Sequence, residues 1–434
     1  MSGQPPAGLR WRPTPSFLVG LTAAAVLSLV AILFRRLDAA LFATPFIIVV
    51  AWSLATRPSS SPRLLRRFSD VTVQEGTTHL LQIEAREVAG AEQLLTEVGA
   101  VETILVSPRR HDVQLVTSDT ATAQLHWTPA RWGTPDFGAC RAGLLSPWGA
   151  FRWGPVRFSS AMIRVTPRAV SFQSRAGMPH PVGLVGRNQS RRRGDGTEFA
   201  DIRPFVQGDR LRRIHWPVSA RSGELHVRTT YAELDAELAI MLDASTEVGV
   251  SGGVDDVSTS LDLGVRAAAA VAGCFLTQGE RVGLDVIGSN PAVHVPVRPG
   301  RTQLQRLVAS LSTVRPGGER HLLSSIRRVR TSPGALVVLI SPLMSEQVLA
   351  AAAALTRRGL TVMVVDCLPA DVRIDNDDTP LVDVALRIRL QQRAVEIAAI
   401  RRIGVTVTAW NGPGSLDTVL RDLNRRPASS GNLR

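Results

Sequence analysis

The sequence predicts an α/β domain preceded by a small β-sandwich and an N-terminal two-helix transmembrane hairpin. Three observations carry this. Two uncharged apolar runs lie before residue 57, and short alternating runs follow from about Val71 to Val165. From Leu238 onward, continuous apolar strands alternate with helical patterns. A chain of 434 residues is long enough for two or three domains with cores of their own.

The first apolar run, Ser16–Phe34, lies in a stretch free of charge between Arg12 and Arg35. The second runs from Ala39 to Thr56. Either is long enough to cross a hydrocarbon core of about 30 Å, and Pro45 in the second is tolerable in a membrane helix. A cleaved signal peptide is the competing reading of the first run. Against it, the run ends in Arg35-Arg36, with no small-residue cleavage site. A hairpin joined near Arg35–Asp38 is expected. Arg10, Arg12, Arg57, Arg63, Arg66 and Arg67 flank its outer ends, and only Arg35 and Arg36 sit in its turn. That asymmetry predicts a multi-pass protein of the cell membrane with both termini and the soluble domains in the cytoplasm. Membrane lipids are therefore expected partners.

Composition narrows the chemistry. The chain has 50 basic and 37 acidic residues, net +13, and every basic residue is Arg. The lack of lysine removes Schiff-base chemistry and the lysine of phosphate-binding loops and kinases. Residues 1–67 carry eight Arg and one Asp, so more than half of the net charge lies beside the membrane, and nucleic acid is not needed to explain it. Cys140, Cys274 and Cys367 are far apart without a CxxC, which argues against a disulfide framework and a thiolate zinc cluster.

The domain boundaries follow from these shifts. Residues 1–15 are read as a cytoplasmic N-terminus, 16–56 as the hairpin, 57–69 as a linker around RPSSSP, and 70–167 as the sandwich. Residues 168–235 form an arginine-rich segment, 236–420 the α/β domain, and 421–434 a disordered tail. Runs such as HLLQIEA and AQLHW alternate with period two. Trp127, Trp132, Trp148 and Trp153 cluster late in the sandwich, where packing is a more common use than a ligand platform. In the C-terminal domain LAIMLD, RVGLDVIG, ALVVLIS, LTVMVVD and VTVTAW read as buried strands, which implies a parallel sheet covered on both faces.

Gly186–Tyr231 holds ten Arg and five carboxylates, with Phe199, Phe205 and Trp216 between them. Three readings compete: single-stranded nucleic-acid binding by stacking and phosphate contact, a carboxylate acid–base or metal site, and an extended segment pinned by Arg–carboxylate forks to the adjoining domain. Mixed charge signs favour the last. His215 and His226 lack metal-ligand spacing with another His.

Within this stretch, EFADIRPFVQGDRLRRIHWPVSARSGELHVR resembles the signature of the bacterial domain-of-unknown-function family fifty-eight. The signature positions are Glu198, Phe199, Arg203, Gly208, Asp209, Arg213, Trp216, Ser219 and Arg221. Upstream, RWGTPDFGACRAGLLSPWGAFRWG is similar to the family's RRG…DPFGLF stretch, from which Ser146 and Trp148 depart. GERVGLDVIG and PGRTQLQRL also fit, so the resemblance spans roughly 60–430. It implies a von Willebrand factor A-like (Rossmann-like) C-terminal domain and a MoxR-type AAA+ ATPase as partner. It also implies an Mg²⁺ or Mn²⁺ site in a D-x-S-x-S motif, which here reads Asp243-Ala244-Ser245-Thr246-Glu247. Thr302 is the candidate distant threonine, and Ser341-Pro342 stands where an Asp is expected. The alternative for Asp243 is a brace for the loop after its strand.

These features point to a membrane-anchored adaptor acting in complex assembly or envelope-related maturation, and not to an enzyme. A membrane-bound hydrolase using Asp201, Asp209 or His215 is the second reading, but no G-x-S-x-G, H-E-x-x-H or Cys–His constellation accompanies it. Nucleic-acid binding ranks last, because residues 68–434 carry 42 Arg against 36 acids.

Overall fold

The computed structural model describes residues 9–99, 101–107, 110–168, 193–207, 209–231, 237–254, 256–318, 335–358, 360–372 and 380–412. They fall into two compact units, one built mainly from the chain up to Thr166 and one mainly from Pro167 onward.

In the first unit, α1 (Pro15–Phe34) and α2 (Leu37–Ala55) form the hairpin. Thr14 caps α1 by accepting from the Phe17 amide at 3.3 Å, and Pro15 occupies the first turn, where its missing N–H is not needed. Arg35 ends α1 in the left-handed region (φ 51°), so the connection is only Arg35 and Arg36, and Asp38 lies in the first turn of α2. Val19, Ile32, Leu41 and Trp52 are exposed along the helices. Both helices are long and apolar enough to cross a membrane. A third helix, Ser260–Thr277, is less apolar and is mostly buried within the second unit.

Two sheets share one core behind the hairpin. The first is ordered β1 (Arg12–Pro13), β10 (Phe151–Phe158), β9 (Cys140–Leu145), β5 (Gln93–Val98), β7 (His111–Leu115). The second is ordered β2 (Arg63–Phe68), β4 (His79–Arg86), β8 (Thr120–Pro129), β6 (Ile104–Ser107). A short parallel pair joins β3 (Thr72–Gln74) to β11 (Arg164–Thr166). Strict alternation builds the core. In β8, Ala121, Ala123, Leu125 and Trp127 face inward, against Leu81 and Ile83 of β4 and Leu94, Leu144 and Phe158 of the other sheet. Trp127 stands edge-on to Phe68 and Phe137, with centroids 6.3 and 5.2 Å away. Trp132 and Trp153 are buried too, whereas Trp148 is 69% exposed.

The sandwich takes in more chain than the 70–167 expected for it. β1 lies in the stretch read as a cytoplasmic N-terminus, and β2 in the stretch read as linker. In β2 the period-two pattern of RLLRRF turns Leu64 and Arg66 inward together. Arg66 is 4% exposed, its guanidinium lies over the Phe68 and Phe158 rings (5.0 and 5.5 Å), and it donates to Cys140 Sγ at 3.7 Å. It is therefore a core residue, which leaves five arginines, not six, flanking the outer ends of the hairpin.

In the second unit, β12 (Arg193–Pro204) and β13 (His226–Tyr231) form an antiparallel ribbon that brackets the short helix α3 (Trp216–Ser222). The remainder is a six-stranded mixed sheet. Its strands are β14 (Glu237–Asp243), β15 (Arg281–Ile287), β16 (Val293–Arg298), β17 (Leu336–Ser341), β18 (Thr361–Asp366) and β19 (Thr406–Ala409). Their order is β16-β15-β14-β17-β18-β19, all parallel except the edge strand β16. Helices α4 (Ser260–Thr277) and α5 (Arg301–Leu311) follow β14 and β16. Helices α6 (Glu346–Arg357) and α7 (Pro380–Arg402) follow β17 and β18. Val348, Ala352 and Leu355 of α6 and Ile397 and Ile400 of α7 cover Met241, Leu339 and Val364. On α4, a Cβ at Gly264 would lie 3.0 Å from Leu242 and 3.4 Å from Cys367 Sγ, so this glycine sets the close approach of helix to sheet. Residues 421–434, read as a disordered tail, lie outside the described residues.

Candidate functional site

Chain order reverses between β14 and β17, so the crevice beyond their carboxyl ends is where a sheet of this kind offers a site. Asp243 ends β14 and Ser341 ends β17. Asp243 is 2% exposed, and both of its oxygens are engaged. Oδ1 accepts from Ser245 Oγ at 2.6 Å and Ser245 N at 3.0 Å, and Oδ2 accepts from Ser341 Oγ at 2.7 Å. The Ser341 hydroxyl in turn accepts from Leu343 N at 2.9 Å. Glu247 is turned to the start of α4, where it accepts from Thr259 Oγ1 at 2.7 Å. Thr259 and Asp262 form a reciprocal capping box there. Thr302 lies exposed in the first turn of α5, on the far side of the edge strand in sequence.

This donor set fits a divalent cation poorly. Mg²⁺ or Mn²⁺ needs carboxylate and hydroxyl oxygens with free lone pairs. Here the one carboxylate that ends β14 already binds three internal donors, and Glu247 serves a helix cap.

Two glycines that sequence reading passed over close this corner. Gly288 (φ 71°) follows β15, and a Cβ there would fall 2.6 Å from the Ser245 backbone. Gly317 donates to Gly288 O at 2.8 Å, and a Cβ there would meet that same oxygen at 2.7 Å. The GxG-free spacing hid them, since loops after different strands meet only in the fold. Beside them, Asp366 at the end of β18 is ion-paired to Arg393 of α7, whose Nε donates to Pro342 O at 2.8 Å. Burial, followed by the charges of Asp243 and Asp366, pushes the Cys367 thiol well above its ordinary range. That leaves the thiol protonated and inert as a nucleophile.

The signature segment is built differently. Arg203 grips Asp209 through a two-pronged fork, NH1 to Oδ2 and NH2 to Oδ1, both 2.7 Å. Val206 N also donates to Asp209 Oδ2 at 2.9 Å. The fork, together with that backbone bond, holds the Asp209 carboxyl below its ordinary pKa. It closes a turn within the segment, where the sequence reading expected forks to the adjoining domain. Ser219 bolts α3 to β13: its hydroxyl donates to His215 O at 3.0 Å and accepts from His226 N at 2.9 Å. His215 Nδ1 accepts from Val218 N at 3.4 Å, so this histidine caps α3. Arg213 is half-buried beside the short turn that precedes α3, and Arg221 is exposed in the last turn of α3. Gly208 and the Glu198 side chain lie outside the described residues.

Around this braced backbone the large apolar side chains face outward. Leu211 is 69% exposed, Trp216 66%, and Val206 and Phe199 more than half or half exposed. The Arg228 guanidinium lies 5.4 Å over the Phe199 ring. Asp201 Oδ1 accepts from the Ile202 amide at 2.7 Å. Asp209 is a brace against Arg203, and His215 is a helix cap, which are structural uses of the residues weighed as a hydrolase set.

Comparison with known proteins finds one family model that matches part of this chain. The family described as "Protein of unknown function DUF58" matches residues 201–388, from β12 through the signature to α7. The chain is 30% identical over 154 residues to uncharacterized proteins of Mycobacterium bovis and Mycobacterium tuberculosis. The match covers 34% of this chain and 47% of each relative, so the chain spans about half the length of the curated relatives it matches. Two solved structures align with parts of it. The cupredoxin domain of amoB from Nitrosocaldus yellowstonii is 10% identical, with 27% of this chain and 99% of that chain covered and a TM-score of 0.16. Macromomycin is 19% identical, with 24% and 99% covered and a TM-score of 0.13. At such scores neither carries an argument about fold or function.

Proposed function

We propose that the protein is a membrane-anchored interaction protein whose signature segment is its partner-binding surface. One observation carries this reading: Phe199, Val206, Leu211 and Trp216 are outward-facing on a backbone locked by the Arg203–Asp209 fork and the Ser219 bolt. Single exposed apolar residues are ordinary. Four large ones within residues 199–216, interspersed with arginines, have the composition of a binding hot spot, where Trp and Arg anchors dominate.

The C-terminal sheet is von Willebrand factor A-like in this reading, supported by its strand order and single antiparallel edge strand. The partner is a MoxR-type AAA+ ATPase, as the signature resemblance implies, in complex assembly or envelope-related maturation. The hairpin anchors the chain in the cell membrane as two spans, with the soluble units on the cytoplasmic side. Five arginines flanking the outer ends against two in the turn support that orientation.

Crosslinked capture of the full-length protein from its native membrane tests the proposal. A Leu211→Ala/Trp216→Ala variant and an Asp243→Asn variant are run beside wild type. Wild type enriches an AAA+ ATPase, and the double variant loses it while keeping the wild-type thermal midpoint. Loss only with Asp243→Asn, at an unchanged thermal midpoint, would move the interface to the β14–β17 crevice. No ATPase in any sample would sink the proposed partnership.

A further inference from the structure

The sandwich is fastened to both outer ends of the hairpin at one of its own ends. At the first end, Thr14 N and Oγ1 donate to Ala150 O and Gly149 O at 2.9 and 2.6 Å, and Phe17 packs on Phe151 at 5.1 Å. At the second, Trp11 Nε1 donates to Ser60 O at 3.1 Å, and Ser60 Oγ donates to Ala89 O at 2.9 Å. Arg57 lies over the Phe151 ring at 5.3 Å, and α2 packs on the turn Pro147–Gly149. That turn is thus level with the first residue of α1 and the last residues of α2, where the hydrocarbon gives way to headgroups.

Trp148 sits at the tip of this turn. It is 69% exposed and held at φ 59°, a left-handed conformation that costs a bulky side chain roughly 1–2 kcal/mol. Ser146 fixes the turn around it, its Oγ accepting from Phe151 N at 2.9 Å and its carbonyl from Gly149 N at 3.0 Å. A strained, outward-aimed tryptophan in a pinned turn calls for a role outside the sandwich. Next to it, Arg12 of β1 stands directly opposite Arg152 of β10. Both are exposed, and among the described residues neither has a carboxylate in ion-pair reach. Like charges directly opposite across an antiparallel pair repel, and a layer of anionic groups removes that cost.

From this we infer that the Pro147–Gly149 turn and the Arg12/Arg152 pair form a second, interfacial membrane contact, in which Trp148 enters the headgroup layer and the two arginines bind phospholipid phosphates. Tryptophan is the side chain suited to that boundary, and arginine to phosphate. The inference rests on the reading of the hairpin as membrane-spanning. Its consequence is that the sandwich does not swing on a tether: it stands on the membrane by one end. β10 runs from that end to Phe158, about 26 Å away at strand rise, so Met162 marks the opposite, aqueous end.

The test uses full-length protein in phosphatidylcholine vesicles with and without phosphatidylglycerol. Cys274 is replaced by Ser, and Cys140 and Cys367 are buried. Single cysteines carrying an environment-sensitive fluorophore are placed by Trp148→Cys, Leu29→Cys and Met162→Cys. The label at 148 loses emission to a nitroxide near the headgroup, the label at 29 to a deep-chain nitroxide, and the label at 162 only to aqueous iodide. Phosphatidylglycerol blue-shifts the label at 148, and Arg12→Gln/Arg152→Gln abolishes that dependence. A label at 148 open to iodide like that at 162, with 29 still quenched from within the bilayer, overturns the contact and spares the anchor. A label at 29 that iodide reaches overturns both. Emission at 148 that is indifferent to phosphatidylglycerol and also unchanged by Arg12→Gln/Arg152→Gln in phosphatidylcholine overturns the phosphate contact.

Discussion

The β14–β17 crevice and the signature turn use the same ingredients, an aspartate and a ring of donors, to opposite ends. Asp243 is sealed in, bonded to Ser245 and Ser341 beneath the Gly288 backbone. Asp209 sits in a shallow, partly exposed turn, and its bonds to Arg203 leave Leu211 and Trp216 facing outward. Burial decides the difference. A sealed carboxylate that loses its partners is costly, so such a site serves the fold. An exposed fork contributes little to global stability, and its effect is local, on the turn it closes.

The sharpest way to break the comparison is Asp243→Ala. It strips the acceptor from two buried hydroxyls and an amide, and is expected to cost about 3 kcal/mol, read as a lower denaturation midpoint in urea. An unchanged midpoint would mean that the crevice is not a structural brace. Gly288→Ala comes next. With φ at 71° and no room beside Ser245, it should destabilise by about 2 kcal/mol in the same measurement, and Gly317 must shift with it.

For the signature turn the expected effects are local. Asp209 has its carboxyl held below the ordinary range by Arg203, so the fork's stabilisation is complete above the unfolded-state pKa. It is lost as pH falls through the lower, folded-state value. Hydrogen exchange should show the amides of Val206 and Asp209 losing protection on that acid limb while β14 and β17 keep theirs. Asp209→Asn should reproduce the loss at neutral pH. Loss of protection in β14 at the same pH would make the two regions one cooperative unit.

The smallest expected effect is that of metal. Adding Mg²⁺ or chelator should leave the thermal midpoint unchanged, because the Asp243 oxygens already hold three donors. A magnesium-dependent rise, lost in Ser245→Ala, would show that the hydroxyls turn outward and would reopen the crevice as a cation site.

Much of the architecture was legible because it rests on periodicity and charge, which are local. The two uncharged runs are α1 and α2, and LAIMLD and ALVVLIS are β14 and β17, the two strands lying inside a layered sheet as continuous apolar strands must. Alternation marked β4 and β8 as half-buried strands. The same period-two signal runs through RLLRRF, but arginines next to an apolar run fit a membrane flank equally well. A buried Arg66 held by aromatic faces and Cys140 depends on partners seventy or more residues away in sequence.

The sequence by itself determined the two long apolar helices, the strand periods and the presence of an arginine-rich signature, since each is written in spacing along one stretch. Only the tertiary structure decided what the charged residues do. Arg203 turned to Asp209 in its own segment, Glu247 to a helix cap, Asp366 to Arg393, and Arg66 into a core. A charge takes its role from the dielectric and the partners around it, and loops from distant strands supply both only when the chain has folded.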